Sequence, residues 1–217
     1  MSSSNFSGAR KAMIDSQLRT SGINSAWVIA AMGRTAREDF VPDSRRDIAY
    51  MDRTIPLTNG RVLNPPLATG LILQEADIQP SDKVLLIGGG SGYMAKLLSD
   101  HVASLVVVES DEALMAQAQK NLGSAENVHF VSGDLAQGAA DKGPYSVILI
   151  DGGVAQLPDM LVDQLADGGR IVAGMMDASV SRIGYGVKRG GKVALQSFAD
   201  CSIAPLPGFE RAEEFTF

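Results

Sequence analysis

The residues best placed to do chemistry lie in one stretch, Val84-Leu85-Leu86-Ile87-Gly88-Gly89-Gly90-Ser91-Gly92-Tyr93, and in two carboxylates downstream of it. Glycines that follow an apolar run and open a helical one let the backbone turn tightly and come close to a ligand. Glu109 stands at the end of the next apolar run, where a carboxylate accepts hydrogen bonds from both hydroxyls of a ribose. Gly133-Asp134 follows the third run, where an adenine edge would lie. Together they point to a nucleoside cofactor. The loop is no Walker A motif, because no Gly-Lys-Ser/Thr ends it, and the dinucleotide fingerprint wants a glycine where Tyr93 stands. The spacing Gly88-x-Gly90-x-Gly92 is the one common in S-adenosylmethionine (SAM) methyltransferases, so SAM is the expected cofactor. Each feature also has a plainer reading. The glycines can make only a tight turn, Glu109 can be a solvated strand-end carboxylate, and Asp134 can close an Asx turn.

Elements that would position these groups follow from the apolar pattern. Lys83–Ile87, Ser104–Val108, Val128–Val131, Ser146–Ile150 and Arg170–Ala173 read as buried strands. Between them Tyr93 to His101, Asp111 to Asn121 and Leu157 to Leu165 read as helices, the second capped by Ser110. This alternation predicts an α/β fold, a doubly wound, mostly parallel seven-stranded sheet of the Rossmann-like SAM-methyltransferase kind. In such sheets ligands bind outside the carboxyl ends of the strands, where all the named positions fall. The tail differs. Ser181–Lys188 and Lys192–Phe198 flank Gly190-Gly191 and predict a C-terminal antiparallel hairpin.

Upstream, residues 1–9 are small and polar and expected to fray. Arg10 to Thr20, Ser25 to Arg34 and Leu67 to Ala76 read as helices. Phe40 to Pro66 reads as loop with short pieces of structure, and loops of that length inside a domain are usually functional. The expected division is residues 1–80, a helical and loop segment forming the substrate side, and residues 81–217, the SAM-binding core, in one compact domain.

Composition excludes several classes. Of the 217 residues, 19 are Lys or Arg and 25 are Asp or Glu, a net charge of −6 that argues against a broad nucleic-acid surface. A lone cysteine, Cys201, permits no internal disulfide, and two histidines, His101 and His129, give no metal site. With no apolar run of membrane length and no signal peptide, the expectation is a cytoplasmic protein without membrane partners.

The chain also resembles a family, the protein-L-isoaspartate O-methyltransferases. Arg37-Glu38-Asp39-Phe40-Val41-Pro42 is similar to its Arg-Glu-x-Phe-Val-Pro, and Ala49-Tyr50-Met51-Asp52 with Ile55-Pro56-Leu57 to its Ala-Tyr-x-Asp and Leu-Pro-Ile. Gln17-Leu18 with Gly22-Ile23 and Gly168-Gly169-Arg170-Ile171-Val172 continue the likeness from about Met13 to the C-terminus. The resemblance implies a SAM-dependent enzyme that methylates the free carboxylate of L-isoaspartyl residues in damaged protein or peptide substrates, acting as a monomer or small homo-oligomer.

The family has Thr-Ile-Ser-x-Pro after a Gly-Gln pair, and this chain has Gly60-Arg61-Val62-Leu63-Asn64-Pro65-Pro66. Asn64 takes the place of the serine held to sit beside the substrate carboxylate, so the resemblance assigns it the catalytic position. Leu86 replaces the acid before Ile-Gly, and Asp151-Gly152-Gly153 replaces small residues after the fourth strand. Asp151 is a candidate stand-in for the lost carboxylate, or a strand-end turn. These departures keep two other readings open: methylation of a different acceptor, and a SAM-binding or fold-only protein.

Overall fold

The computed structural model describes residues 3–177 and 180–210. Three helices lead the chain: α1 (Ser3–Met13), α2 (Ala26–Arg34) and α3 (Pro66–Glu75). Between α2 and α3 lie two 3-10 turns, Arg37–Phe40 and Asp43–Ile48, and a small antiparallel hairpin of β1 (Ile55–Pro56) and β2 (Val62–Leu63). The expected loop-rich stretch is thus built of short, separately anchored pieces.

The core alternates as the apolar pattern predicts: β3 (Lys83–Ile87), α4 (Tyr93–Ser99), β4 (Ser104–Glu109), α5 (Glu112–Leu122), β5 (Val128–Ser132), β6 (Tyr145–Val154), α6 (Asp159–Gln164) and β7 (Leu165–Asp177). Two further strands, β8 (Val180–Val187) and β9 (Gln196–Asp200), complete a seven-stranded sheet in the order β5-β4-β3-β6-β7-β8-β9. Strands β5 to β7 in that order pair in parallel, and β8 and β9 add antiparallel. Val84, Leu85, Leu86 and Ile87 of β3 and Val147 to Ile150 of β6 are all fully buried. Burial on both faces is why these strands read as unbroken apolar runs rather than alternating ones. The chain fills one side of β3 with β4 and β5, then crosses to the other side with β6. The crevice at that switch opens at the carboxyl ends of β3 and β6, beside Gly88 and Asp151.

Several local expectations are corrected. Of the stretch expected to fray, residues 1–2 lie outside the described residues and the rest do not fray: α1 begins at Ser3 and Phe6 is buried, with the Arg46 guanidinium over its ring. After Met13 the helix widens into a π turn, Ile14–Leu18, which turns Ile14 and Leu18 inward together. Asp111, not Ser110, caps α5, because its carboxylate accepts from Leu114 N at 2.9 Å. Ser110 N instead donates to Glu109 Oε1. The terminal hairpin turns at Gly190-Gly191, both at positive φ, but its second strand starts only at Gln196.

Residues from both expected segments share one apolar cluster, in which Met13, Leu18, Ile23 and Ile72 pack with Val84, Leu86, Leu97 and Leu149. His101 stacks on Trp27 at 4.2 Å and its Nε2 meets Ile78 O, a packing role.

Asp111 is a near-exposed cap whose removal leaves an orphan amide at the head of α5. Asp111→Ala lowers the unfolding free energy by about 1 kcal/mol, read from urea denaturation curves of the two proteins. An unchanged midpoint would show that the cap carries nothing.

Candidate active site

The three glycines of the loop do different work. Gly88, Gly90 and Gly92 all adopt positive φ, at 80°, 53° and 94°. Gly88 N and Gly89 N both donate to Val108 O, which draws the loop across the end of β4. Gly90 N donates to Glu109 Oε2 at 2.7 Å. Gly92 faces away from the crevice: a Cβ there would lie 2.9 Å from Ala118 Cα, so this glycine lets α4 and α5 approach. Gly88 faces the crevice, and there the neighbours are Leu206 and Arg61. A Cβ on Gly88 would sit 3.0 Å from both Leu206 methyl carbons and 3.5 Å from Arg61 Nη2.

Glu109 ends β4 with only 1% of its surface exposed. A buried carboxylate is costly unless donors surround it, and here five do. Arg61 grips it from both nitrogens, Nη1 on Oε1 at 2.5 Å and Nη2 on Oε2 at 3.1 Å. The amides of Ser110 and Asp111 donate to Oε1 and that of Gly90 to Oε2. Arg61 comes from the tip of the β1–β2 hairpin, whose turn places Asn59 and Gly60 at positive φ. Sequence reasoning left Arg61 out. The available signal was a cation standing where the resembling family has a neutral glutamine.

Asn64 and Asp151 meet directly. Asn64 Nδ2 donates to Asp151 Oδ1 at 2.8 Å and to Asp151 O at 3.0 Å. Its Oδ1 accepts from Ala204 N at 3.0 Å, and its backbone carbonyl accepts from Arg37 Nη2 at 2.5 Å. The Asn64 amide is therefore engaged at both ends. Surrounding protein strips water from the Asp151 carboxyl and raises its pKa, against the pull of Asn64, Arg37 and Arg61. Arg37 is fully buried, with its guanidinium 4.6 Å from the Tyr93 ring centre, and burial lowers its pKa. Arg37 Nη1 and Tyr93 Oη, both buried, lack a hydrogen-bond partner among the described residues.

The C-terminal segment from Ile203 to Phe209 runs across the mouth of the crevice. Gly153 N donates to Ala204 O and Leu206 N to Gly153 O, while Ala155 N donates to Phe209 O. Ile203, Leu206 and Phe209 are all buried beneath it. Leu206 lies over Gly152 as well as Gly88, so any side chain at either glycine would overlap or crowd it. Asp134 stands exposed, and its Oδ1 accepts from Ala136 N at 2.9 Å, the geometry of an Asx turn. Gly208 is its neighbour from the crossing segment. Leu86 is buried in the sheet and offers the crevice no charge. The open groove nearby, about 560 Å³, lies between the Arg37–Phe40 turn and α5, and neither Glu109 nor Gly88 lines it. No group of three or more His, Cys, Asp or Glu able to hold a metal occurs among the described residues.

The structure thus brings Gly88, Gly90, Glu109, Asn64 and Asp151 to one crevice, and leaves Asp134 at its rim and Gly92 in a helix contact. In kind the crevice fits a nucleoside: a buried carboxylate at a strand end, a glycine with no Cβ, and backbone amides. In room it does not, since Arg61 and Leu206 occupy the space.

Comparison with known proteins agrees with this architecture. The family described as protein-L-isoaspartate(D-aspartate) O-methyltransferase matches residues 9–210. The protein-L-isoaspartate O-methyltransferase of Koribacter versatilis (strain Ellin345) is 35% identical over 206 residues, 94% of this chain and 92% of that protein. A solved structure named protein-L-isoaspartate O-methyltransferase superposes with a TM-score of 0.77 at 23% identity, covering 92% of this chain, which spans 66% of that one. A second, from Plasmodium falciparum, titled as a putative enzyme of that name in complex with S-adenosyl-L-homocysteine, gives 0.78 at 17% identity over 93% of this chain and 97% of that one. At these identities the two structures show the fold.

Asp151 makes the crevice's stability depend on pH. A folded-state pKa above the ordinary carboxylate value means that the folded chain holds the proton more tightly than the unfolded chain. Its contribution is therefore full below the unfolded pKa and is lost as pH rises through the folded one. Asp151→Asn keeps an acceptor for Asn64 and removes the titration. At pH 7 the variant melts higher than the parent, and the gap narrows as pH falls to about 4, read from thermal melts across pH. A gap independent of pH would assign the effect to packing.

Proposed function

Because this chain belongs to the protein-L-isoaspartate(D-aspartate) O-methyltransferase family, we propose that it is a SAM-dependent carboxyl methyltransferase acting on L-isoaspartyl residues of damaged proteins and peptides. The observation that carries the reading is Glu109, a buried carboxylate ending β4 beside a glycine loop at the switch point of the sheet. Glu109 would hold the ribose hydroxyls, Gly88 would lie against the rest of the cofactor and the amide of Gly90 would hold Glu109 in place. When bound, SAM supplies a methyl group on a positively charged sulfur.

What remains for the chain's own residues is alignment. An acceptor carboxylate is already ionised at pH 7 and needs no base. This fits the absence of a base–nucleophile pair among the described residues of the crevice. Positioning and exclusion of water supply the catalysis. Asn64 would present a donor to the acceptor carboxylate. An ionised Asp151 beside it would repel that acceptor, and the raised pKa of Asp151 favours its neutral form. Arg37 adds positive charge behind Asn64. The family implies a protein acceptor. Among the described residues no helix is long and apolar enough to cross a membrane. A protein free of nucleic acid is the reading that the acidic composition supports.

One observation favours a second reading, a protein of this fold without isoaspartyl transfer: Glu109 is already satisfied by Arg61, and the Asn64 amide by Asp151 and Ala204. Transfer of labelled methyl from SAM decides between them. The expected result is label on an isoaspartyl peptide and none on the matching aspartyl peptide. Label on neither, with the protein folded, would overturn the isoaspartyl assignment.

A further inference from the structure

The crevice is closed by groups from two separate parts of the chain, and neither belongs to the parallel sheet. The first is Arg61. Its two terminal nitrogens meet the two oxygens of Glu109, the arrangement that two ribose hydroxyls would otherwise make. The second is Leu206, packed on Gly88 and Gly152 where the chain has no side chain of its own.

We propose that Arg61 and Leu206 form a latch that shuts the cofactor crevice in the resting chain, and that SAM binds only by displacing them. This rests on the reading that the crevice takes SAM.

Both parts lie outside the strands of the main sheet and are held to it by a few buried side chains, Ile55 and Leu63 in the hairpin and Ile203 and Phe209 in the C-terminal segment. Arg61 sits at the end of a hairpin whose strands are two residues each and pair with each other, not with the main sheet. Its outer tip is tied at one exposed point, Asn59 Nδ2 to Asp111 Oδ2 at 2.6 Å. The segment carrying Leu206 pairs with β6 through Gly153, and Asn64 Oδ1 ties it down at Ala204 N. Asn64 therefore joins the two parts: it lies just after β2 on the hairpin side and holds the C-terminal segment on the other. Lifting the hairpin would free Glu109 and loosen Leu206 together. A guanidinium leaving a buried carboxylate regains water, and two hydroxyl donors can take its place on Glu109, so the exchange leaves no carboxylate oxygen bare.

A merely structural ion pair and a latch differ in sign. Arg61→Gln removes the grip and restores a neutral side chain. The latch requires Arg61→Gln to melt lower than the parent without ligand, and yet to bind SAM about ten-fold more tightly or better, since hydrogen bonds to a charged group must no longer be broken. Leu206→Ala tightens SAM as well, by clearing the space over Gly88. Titration calorimetry with SAM on the full chain, alongside ligand-free melts, reads all three proteins. Equal affinities, or weaker ones in the variants, would overturn the latch and leave the methyltransferase reading standing. No binding by any of the three, each folded by circular dichroism, would overturn the reading that the crevice takes SAM, and the latch with it.

Discussion

A carboxylate buried at the end of a parallel strand has to be met by donors, and the site is organised by that need. Glu109 is almost fully enclosed, so each of its oxygens must be hydrogen-bonded or its charge becomes prohibitively costly. Three backbone amides answer part of the demand, and they exist only because the chain turns sharply at Gly88 to Gly90 and again at Ser110. The remainder falls to Arg61, delivered from a hairpin 48 positions earlier in the chain. Loop, hairpin and the start of α5 thus converge on one side chain.

The sheet explains why that side chain lies where it does. Strands β3, β4 and β6 are apolar on both faces, so they stack centrally and leave no room for polar groups except at their ends. Winding outward from β3 in two directions opens a crevice at those ends, and the glycines keep it free of side chains. A crevice lined by Gly88 and Gly152 is apolar in its floor, which is why Leu206 packs into it readily. The same absence of Cβ atoms that suits a bound nucleoside also suits a leucine.

Legibility followed range of interaction. The parallel core was readable because each strand is a local apolar run and each helix a local period. Glu109 and the glycines were readable because their spacing sits inside one β-α-β unit. What could not be read depends on contacts between distant parts. Arg61 means nothing until the hairpin is placed against β4, and Leu206 nothing until the last described segment is laid across β6. Asn64 was singled out through a resemblance, yet its partners Asp151 and Ala204 lie 87 and 140 residues away. The cap of α5 was misplaced by one residue for a smaller reason. Ser110 and Asp111 are both good caps, and it is the Asp111 carboxylate that the fold brings to the Leu114 amide. The start of α1 was missed because a polar, serine-rich stretch hides one buried aromatic, Phe6.

Glu109 also sets how strongly a closed state can hold. Ion pairs of low exposure gain Coulomb energy but lose hydration on both partners, so their net worth is small beside the cost of breaking only one side. A guanidinium on Glu109 therefore keeps the closed crevice satisfied without making the closed form deep in energy. If the closed form dominates, the apparent affinity for a ligand falls by the fraction of chains that are open. A hairpin of two-residue strands is the element able to change that fraction, since its strands pair with each other and not with the main sheet. Three of the departures from the family pattern meet at the crevice, while a fourth, Leu86, lies buried in the sheet. Arg61 binds Glu109, Asn64 ties the C-terminal segment, and Asp151 receives Asn64, so these three positions contact one another or the crevice they close. Substitutions scattered by loss of function have no reason to interlock in this way. Their mutual contacts argue for a crevice whose opening is controlled rather than one that has merely decayed.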